Sequence, residues 1–255
     1  MAIQKTEAIV LKRNEFRETS LVVTLYTPNF GKIKGLVKGI RGRENRHEGI
    51  LDLASVNHII FYEKANVELY LISQVELKEC WQGLSARLGR LLFAQYLLEE
   101  VDGLVPLRDP DPELYQFLCE SLQNLCHQTN FQTAEQVVRY FEIQVIRHLG
   151  FLPRLDCCLN CQDSVHEKIW MSLTRGGVLC RKCYSTEIFA EPLSLETTNT
   201  LNQLVNADRL NFQNVYYPLT VRQELGKILK EIVEYHMEKP IRSVRVLNEF
   251  SGSYL

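Results

Sequence analysis

Hydrophobic and polar residues alternate through five short runs in the first eighty residues. In the third run, Ile33, Gly35 and Val37 share one side while lysines occupy much of the other, which is the period of a half-buried strand. Short runs with turn residues between them predict five strands that close into a small barrel of the OB (oligonucleotide-binding) type. A five-stranded SH3-like barrel is the structural alternative. The predicted strands are 6–13, 21–27, the run that begins at Phe30, 53–61 and 67–72.

The pattern becomes helical from Trp81, with leucines and valines three and four residues apart. Asp111, followed by a proline, predicts the start of a helix, and Ser194 predicts another start. Gly150 predicts a helix end, because glycine adopts the left-handed conformation that closes a last turn. Strands followed by helices indicate an α+β protein.

Two further threonines, Thr133 and Thr220, each precede a glutamine by three residues and predict capping boxes at helix starts. The tail from Ile241 is predicted to be extended. We therefore divide the chain into an OB domain, a helical domain in two parts and a cysteine module between those parts. The predicted boundaries are 1–79 for the OB domain, 80–153 for the first helical part, 154–190 for the cysteine module, and 191–255 for the second helical part and tail.

Charge is distributed unevenly along the chain. Residues 1–46 hold ten Lys/Arg against four Asp/Glu, whereas the other 209 residues hold 19 against 27. Six basic residues follow one another on the third strand and on the glycine-rich loop after it, an arrangement that suits the regular phosphates of a nucleic acid. The alternative is a solvated hairpin with ordinary surface charge. The six residues are Lys32, Lys34, Lys38, Arg41, Arg43 and Arg46.

Two aromatic residues, Phe16 and Phe30, flank turns instead of alternating within strands. OB barrels bind single strands through basic grooves and aromatic side chains on which bases stack. Most aromatic residues of a small barrel belong to its core. Among the aromatic residues of the predicted barrel, we therefore expect Phe16 and Phe30 to be the exposed ones.

Four of the eight cysteines form two Cys-x-x-Cys pairs separated by 18 residues, a spacing typical of four-cysteine zinc sites. Four thiolates would leave no open coordination position, so the zinc would be structural and not catalytic. Cys157 adjoins the first pair, but the two-residue gap favours Cys158 as the ligand. The alternative is four reduced cysteines without a metal. The predicted ligands are Cys158, Cys161, Cys180 and Cys183.

Several classes of function receive no support from the sequence. Phosphate-binding glycine loops, nucleophile elbows and His-Glu-x-x-His motifs are absent, so we expect no enzyme activity. No apolar run reaches 18 residues, so we expect no membrane span. The N-terminus lacks the apolar core of a signal peptide, so we expect a cytoplasmic protein.

Ordered motifs across most of the chain resemble the bacterial RecO family of DNA repair proteins. They are Glu18-Thr19-Ser20, Gly31-Lys32 with Gly35 and Lys38-Gly39-Ile40-Arg41, Arg139-x-Phe141-Glu142 leading to Leu149-Gly150-Phe151, and the two cysteine pairs. The resemblance runs from residue 3 to about 240 and is strongest in residues 1–46 and 137–183. The doublet Cys157-Cys158 departs from the family, which usually has one cysteine there.

The resemblance implies a recombination mediator with an OB domain, a helical domain and a zinc site. Such proteins bind single- and double-stranded DNA, anneal complementary strands and engage the C-terminal tail of single-stranded DNA-binding protein. With RecR, and sometimes RecF, they help load RecA onto coated DNA, which implies association with the nucleoid. Arg13 and Arg17 would join the DNA face, and Arg139 would pair with the tail carboxylate. The rival functions are a protein-interaction scaffold and an accessory enzyme of a nuclease or ligase.

Overall fold

The computed structural model describes residues 2–40, 49–64, 67–165 and 168–251. The chain forms two compact units, residues 1–131 and 132–255. The first unit combines the predicted OB segment with most of the following helical segment, so this division differs from the four predicted segments, whose boundaries stay a prediction. None of the described helices is long and apolar enough to cross a bilayer.

Five strands of the first unit close into a barrel in the order β1-β2-β3-β5-β4. All neighbours are antiparallel except β3 and β5, which pair in parallel. In this closed five-stranded arrangement β1 completes the barrel against β4, which is the OB type. The predicted OB barrel is therefore confirmed over the SH3-like alternative. The strands are β1 Ala2–Phe16, β2 Ser20–Thr27, β3 Gly31–Val37, β4 Val56–Glu63 and β5 Leu69–Glu79.

Strand β1 is almost twice as long as predicted because it pairs with two neighbouring strands. Its first half pairs with β4, and its second half pairs with β2. The register shifts between Val10 and Lys12, where a bulge bends the strand from one neighbour to the other. Inside the barrel, alternate residues of β2 such as Val23 and Leu25 are completely buried, as the period of two requires.

Three described α-helices follow the barrel in the first unit, and the chain between the second and third is bonded to the barrel. These helices are α1 Gln82–Ser85, α2 Leu88–Leu104 and α3 Pro112–His127. The connecting segment 105–111 forms a parallel bridge from Leu107 to Lys32, and the Arg108 amide donates to the Lys32 carbonyl at 2.9 Å. The Tyr26 hydroxyl donates to the Asp111 carbonyl at 3.3 Å.

The predicted start of α3 is confirmed, because the Asp111 carboxylate accepts a hydrogen bond from the Leu114 amide at 2.9 Å and Pro112 occupies the first turn. Gly31 marks the closest approach of the barrel to the connecting segment. A Cβ atom there would lie 2.3 Å from the Asp109 carbonyl oxygen, and the residue has φ +62°. Only glycine accommodates both conditions.

The described part of the second unit holds helix α4, a four-stranded sheet of order β6-β8-β7-β9 and three further α-helices. Helix α4 ends before Gly150, which has φ +77°, and Ser194 accepts a hydrogen bond from the Thr197 amide at the start of α5, so both predictions are confirmed. The elements are α4 Phe131–His148, β6 Arg154–Cys158, β7 Ile169–Ser172, β8 Gly177–Leu179, β9 Glu191–Leu193, α5 Leu195–Asn206, α6 Leu219–Met237 and α7 Ser243–Ser251.

Three local predictions in this unit are wrong. Helix α4 begins at Phe131 and α6 at Leu219, so Thr133 and Thr220 lie inside helices and cap neither. The tail is helical, since α7 buries Val244 and Leu247. Burial of an apolar face stabilises that short helix, whereas its residues have no strong helical preference in isolation.

Replacing Gly31 by alanine is expected to destabilise the first unit by about 2–4 kcal/mol, the sum of left-handed strain and overpacking against Asp109. Gly39→Ala is the matched control: its φ is +71°, but a Cβ there meets nothing within 4 Å, so about 1 kcal/mol is expected. Urea unfolding followed by circular dichroism measures both. Equal losses in the two variants would contradict the close approach.

Candidate nucleic-acid interface and metal centre

The outer face of the barrel carries a row of side chains across three strands. Lys12 of β1 lies opposite Thr24 of β2, and Thr24 lies opposite Lys34 of β3. Val23 and Leu25 on either side of Thr24 point into the core, so the row faces outward. Lys12 is exposed and Lys34 is partly exposed, and neither forms an ion pair with another residue in the described ranges. Two lysines therefore stand about two strand spacings apart, roughly 10 Å.

A groove continues this face beyond the ends of the strands. It is lined by the turn between β1 and β2, by Leu36, Lys38 and Gly39 at the end of β3, and by Leu69 at the start of β5. Phe16 is 40% exposed at the turn, as predicted, and the Arg17 guanidinium carbon lies 5.2 Å from its ring centroid. The groove thus combines an accessible aromatic ring with two exposed cations, Arg17 and Lys38.

The predicted DNA residues fall into three groups. Lys34, Lys38, Arg13 and Arg17 have accessible side chains, although Arg13 is ion-paired with Asp52. Lys32 is buried, with its ammonium 3.5 Å from the Asp102 carboxylate and hydrogen-bonded to the Asp102 carbonyl. It joins the barrel to α2, so including it in an open DNA face needs correction. The predicted residues Arg41, Arg43 and Arg46 lie outside the described residues.

Two residues differ from their sequence-based assignment. Phe30 is partly buried against the core and meets Phe61 edge-on at 5.2 Å, so the expectation that it is exposed is wrong. Lys12 is absent from the predicted DNA residues, because simple alternation of inward and outward positions along β1 does not put its side chain on the outer face. The bulge after Val10 puts it in the row with Lys34, and a pair of adjacent basic residues, Lys12-Arg13, was the only signal in the sequence.

Arg139 is completely buried in α4, where it pairs with Glu142 and lies 3.8 Å from Glu135. Arg222 of α6 approaches Glu135 at 3.1 Å. Burial raises the pKa of the Glu135 carboxyl, and the two neighbouring guanidinium groups oppose that shift. Arg139 is therefore an internal charge of the second unit, and its assignment as a surface partner for a peptide carboxylate needs correction.

The four predicted metal ligands converge at the edge of the second unit's sheet. The sulfur atoms of Cys158, Cys161, Cys180 and Cys183 all lie within 4.8 Å of one another, close enough to hold one metal ion. Cys157 has a different surrounding, since its sulfur lies 3.5 Å from the Gln162 amide oxygen. Each cysteine pair closes a tight turn. The Gln162 amide donates to the Cys158 carbonyl, and the Cys183 amide donates to the Cys180 carbonyl, both at 3.0 Å.

The backbone around Cys158 favours a thiolate there. Burial alone would raise the pKa of this thiol, but hydrogen bonds from backbone amides, among them those of Asn160 and Cys180 at 3.4 Å, lower its pKa to about 6. Thiolates are the form that binds a metal. Strands β7 and β8 pair through a hairpin turn with Gly176 at φ +63°.

Comparison with known proteins identifies the family over almost the whole chain. The descriptions "Recombination protein O N terminal" and "Recombination protein O C terminal" match residues 1–81 and 86–245, respectively. The chain belongs to the RecO family.

Curated members of the RecO family align over more than nine-tenths of their length. The "DNA repair protein RecO" of Syntrophus aciditrophicus is 27% identical over 97% of this chain and 96% of its own length. That of Moorella thermoacetica is 29% identical over 97% of this chain and 91% of its own, and that of a Thermoanaerobacter strain is 27% identical over 99% and 100%. Family membership identifies the chain as a recombination protein of DNA repair.

Changing Cys158 to serine is expected to abolish stoichiometric metal binding, because one of four converging sulfur atoms is lost. Cys157→Ser is the matched control and should retain about one divalent ion per chain. Metal content by mass spectrometry after dialysis measures both variants. Loss of the metal from Cys157→Ser with retention in Cys158→Ser would assign the first ligand to the other cysteine.

Proposed function

We propose that this protein is a non-catalytic recombination mediator that binds single- and double-stranded DNA through the barrel. It anneals complementary strands and, with RecR, helps load RecA onto DNA coated by single-stranded DNA-binding protein. The observation that carries the proposal is the outward row of Lys12 and Lys34, which leads into the groove with Lys38, Arg17 and the accessible Phe16 ring. Family membership supports the same conclusion.

The lysines supply affinity without sequence preference. Each ammonium that contacts a phosphate releases a condensed counterion, so binding weakens steeply as salt concentration rises. Val22 and Leu36 lie two residues further along the same strands from Thr24 and Lys34, opposite each other and only partly buried. Aliphatic surface between cations lets the sugar and base edges of a strand lose water while the phosphates remain paired.

Annealing follows from charge neutralisation and needs no covalent step. Two strands that approach the same cationic face repel each other less, because lysines replace the diffuse counterions that would otherwise screen their phosphates. The Phe16 ring can stack on one unpaired base in the groove, which leaves neighbouring bases free to pair. The proposed reaction thus depends on positioning and electrostatics alone.

We also propose that Zn²⁺ occupies the four-cysteine cluster as a structural ion. The donor set fits, since four sulfur ligands in two tight turns match the ligand type and tetrahedral number that zinc prefers. Four thiolates close the coordination sphere, so the ion would stabilise the turns and activate no water. The lowered pKa of Cys158 supports metal binding near neutral pH.

The remaining partners rest on family membership. RecR, the C-terminal tail of single-stranded DNA-binding protein, RecA and sometimes RecF are proposed partners, and the nucleoid is the proposed location in the cytoplasm. A tail-binding residue is not assigned, because Arg139 is enclosed by its own unit. Partner binding would concentrate the weak DNA contacts where coated strands are present, which raises their effective affinity.

A variant with Lys12, Lys34 and Lys38 all changed to glutamate is expected to bind single-stranded DNA at least about tenfold more weakly at 0.1 M salt. The slope of log K against log salt should fall by about 2, because roughly 0.7 is lost for each of three phosphate contacts. Fluorescence anisotropy with a labelled oligonucleotide measures both quantities. Annealing of complementary oligonucleotides should slow in parallel.

The matched control changes Lys230, Lys239 and Arg245 of the second unit to glutamate, so its net charge is the same. It should bind with nearly the wild-type salt slope. If both triple variants weaken equally, the effect comes from net charge, and the barrel face is not the DNA site. Unchanged binding by the barrel variant would also contradict the proposal.

A further inference from the structure

An aromatic stack stands on the surface of the cysteine module. The rings of Trp170, on β7, and Tyr184, after the second cysteine pair, are nearly parallel, with centroids 4.2 Å apart and an interplanar angle of 13°. The Lys168 ammonium lies 5.9 Å from the Trp170 centroid. Tyr184 is 41% exposed, whereas Ile169 and Met171 on either side of Trp170 are buried in the module. The neighbours of Trp170 therefore anchor the stack in the module, and its Tyr184 side is exposed to solvent.

Basic side chains surround a cleft beside this stack. Lys168, Arg181 and Lys182 line it, and Asp163 is the one acidic residue among the described lining residues. Arg181 and Lys182 are exposed at the tip of the second cysteine turn, and neither forms an ion pair with a described residue. Four thiolates around a zinc ion would give the site a net charge of −2, close to Arg181 and Lys182. These two cations can still attract a phosphate, because their side chains are exposed to solvent.

Successive turns connect these features along the chain. The Cys183 and Tyr184 amides both donate to the Cys180 carbonyl at 3.0 Å, and the Glu187 amide donates to the Tyr184 carbonyl at 3.1 Å. The chain then presents Ile188 and Phe189, which are 91% and 79% exposed. Cations, an open ring and a second exposed ring thus follow one another within nine residues.

We propose that this surface of the cysteine module is a second contact for single-stranded nucleic acid, with an unpaired base stacked on the open face of Tyr184. Arg181 and Lys182 would hold the adjacent phosphates, and Trp170 would support the ring from behind. Aromatic stacking combined with a basic cleft is how proteins hold single strands without sequence preference. The inference rests on the proposed DNA-binding function and extends it to the second unit.

Trp170 reports on this contact directly, because the chain has only two tryptophans. In full-length, metal-loaded protein with Trp81→Phe, all tryptophan emission comes from Trp170. Titration with unlabelled oligo(dT) is expected to quench that emission as the base extends the stack. Anisotropy of a labelled oligo(dT) under the same conditions measures total binding.

Tyr184→Leu in this background should raise the Kd from Trp170 quenching by between about fivefold and 150-fold, the range for loss of one stacked base. Leucine keeps an apolar side chain against Trp170 but removes the ring. Tyr216→Leu is the matched control, since Tyr216 is 80% exposed elsewhere in the unit and should leave the Kd unchanged. Metal content and circular dichroism confirm that each variant is folded.

The outcomes separate this inference from the barrel proposal. Binding by anisotropy without any change in Trp170 emission, or an unchanged Kd in Tyr184→Leu, would overturn the second contact and leave the barrel proposal intact. Quenching that persists when Lys12, Lys34 and Lys38 are changed to glutamate, although anisotropy shows weaker binding, would support both. The same quenching with no loss in anisotropy would support the second contact and overturn the barrel site. No binding at low salt would overturn both.

Discussion

The first unit depends on the contact between the start of β3 and the segment 105–111. At Gly31 the two backbones approach so closely that no side chain fits, and the neighbouring Lys32 contributes a backbone hydrogen bond and a strand bridge to the same contact. The Lys32 side chain adds an ion pair with Asp102 of α2. A small barrel alone buries little apolar surface for its length. Joining it to α2 and α3 enlarges the core and covers one end of its outer face, which leaves the Lys12–Lys34 end open.

Charged residues illustrate where sequence patterns reach their limit. Even numbers of residues separate Lys32, Lys34 and Lys38, so the alternating pattern puts all three on one side of the strand, yet Lys32 is buried against Asp102 and the other two remain accessible. Nothing local distinguishes them, because the covering helix comes seventy residues later. Arg139 is a similar case: its i+3 and i−4 carboxylates were visible in the sequence, but complete burial, which turns a surface pair into an internal one, comes from tertiary packing.

Features that depend on nearby residues were easier to predict from the sequence than burial by residues distant in the chain. The five-stranded barrel follows from five short runs, the cysteine cluster from cysteine spacing, and the starts of α3 and α5 from capping side chains that bond within three residues. The capping boxes at Thr133 and Thr220 failed because α4 and α6 begin before those residues, at Phe131 and Leu219, so neither threonine lies at a helix start. Helix α7 and the small sheet around the cysteines also depend on burial against distant residues, which periodicity over a few positions does not reveal.

The four-cysteine cluster and the aromatic stack are coupled through the backbone. Cys180 and Cys183 bracket Arg181 and Lys182, and the Tyr184 amide is bonded to the Cys180 carbonyl. An ion that fixes both sulfur atoms would therefore also fix the direction of the two cations and the plane of the Tyr184 ring. Such rigidity lowers the entropy cost of holding a base and its phosphates. A structural ion with no open coordination site can in this way contribute to nucleic-acid affinity without touching the nucleic acid.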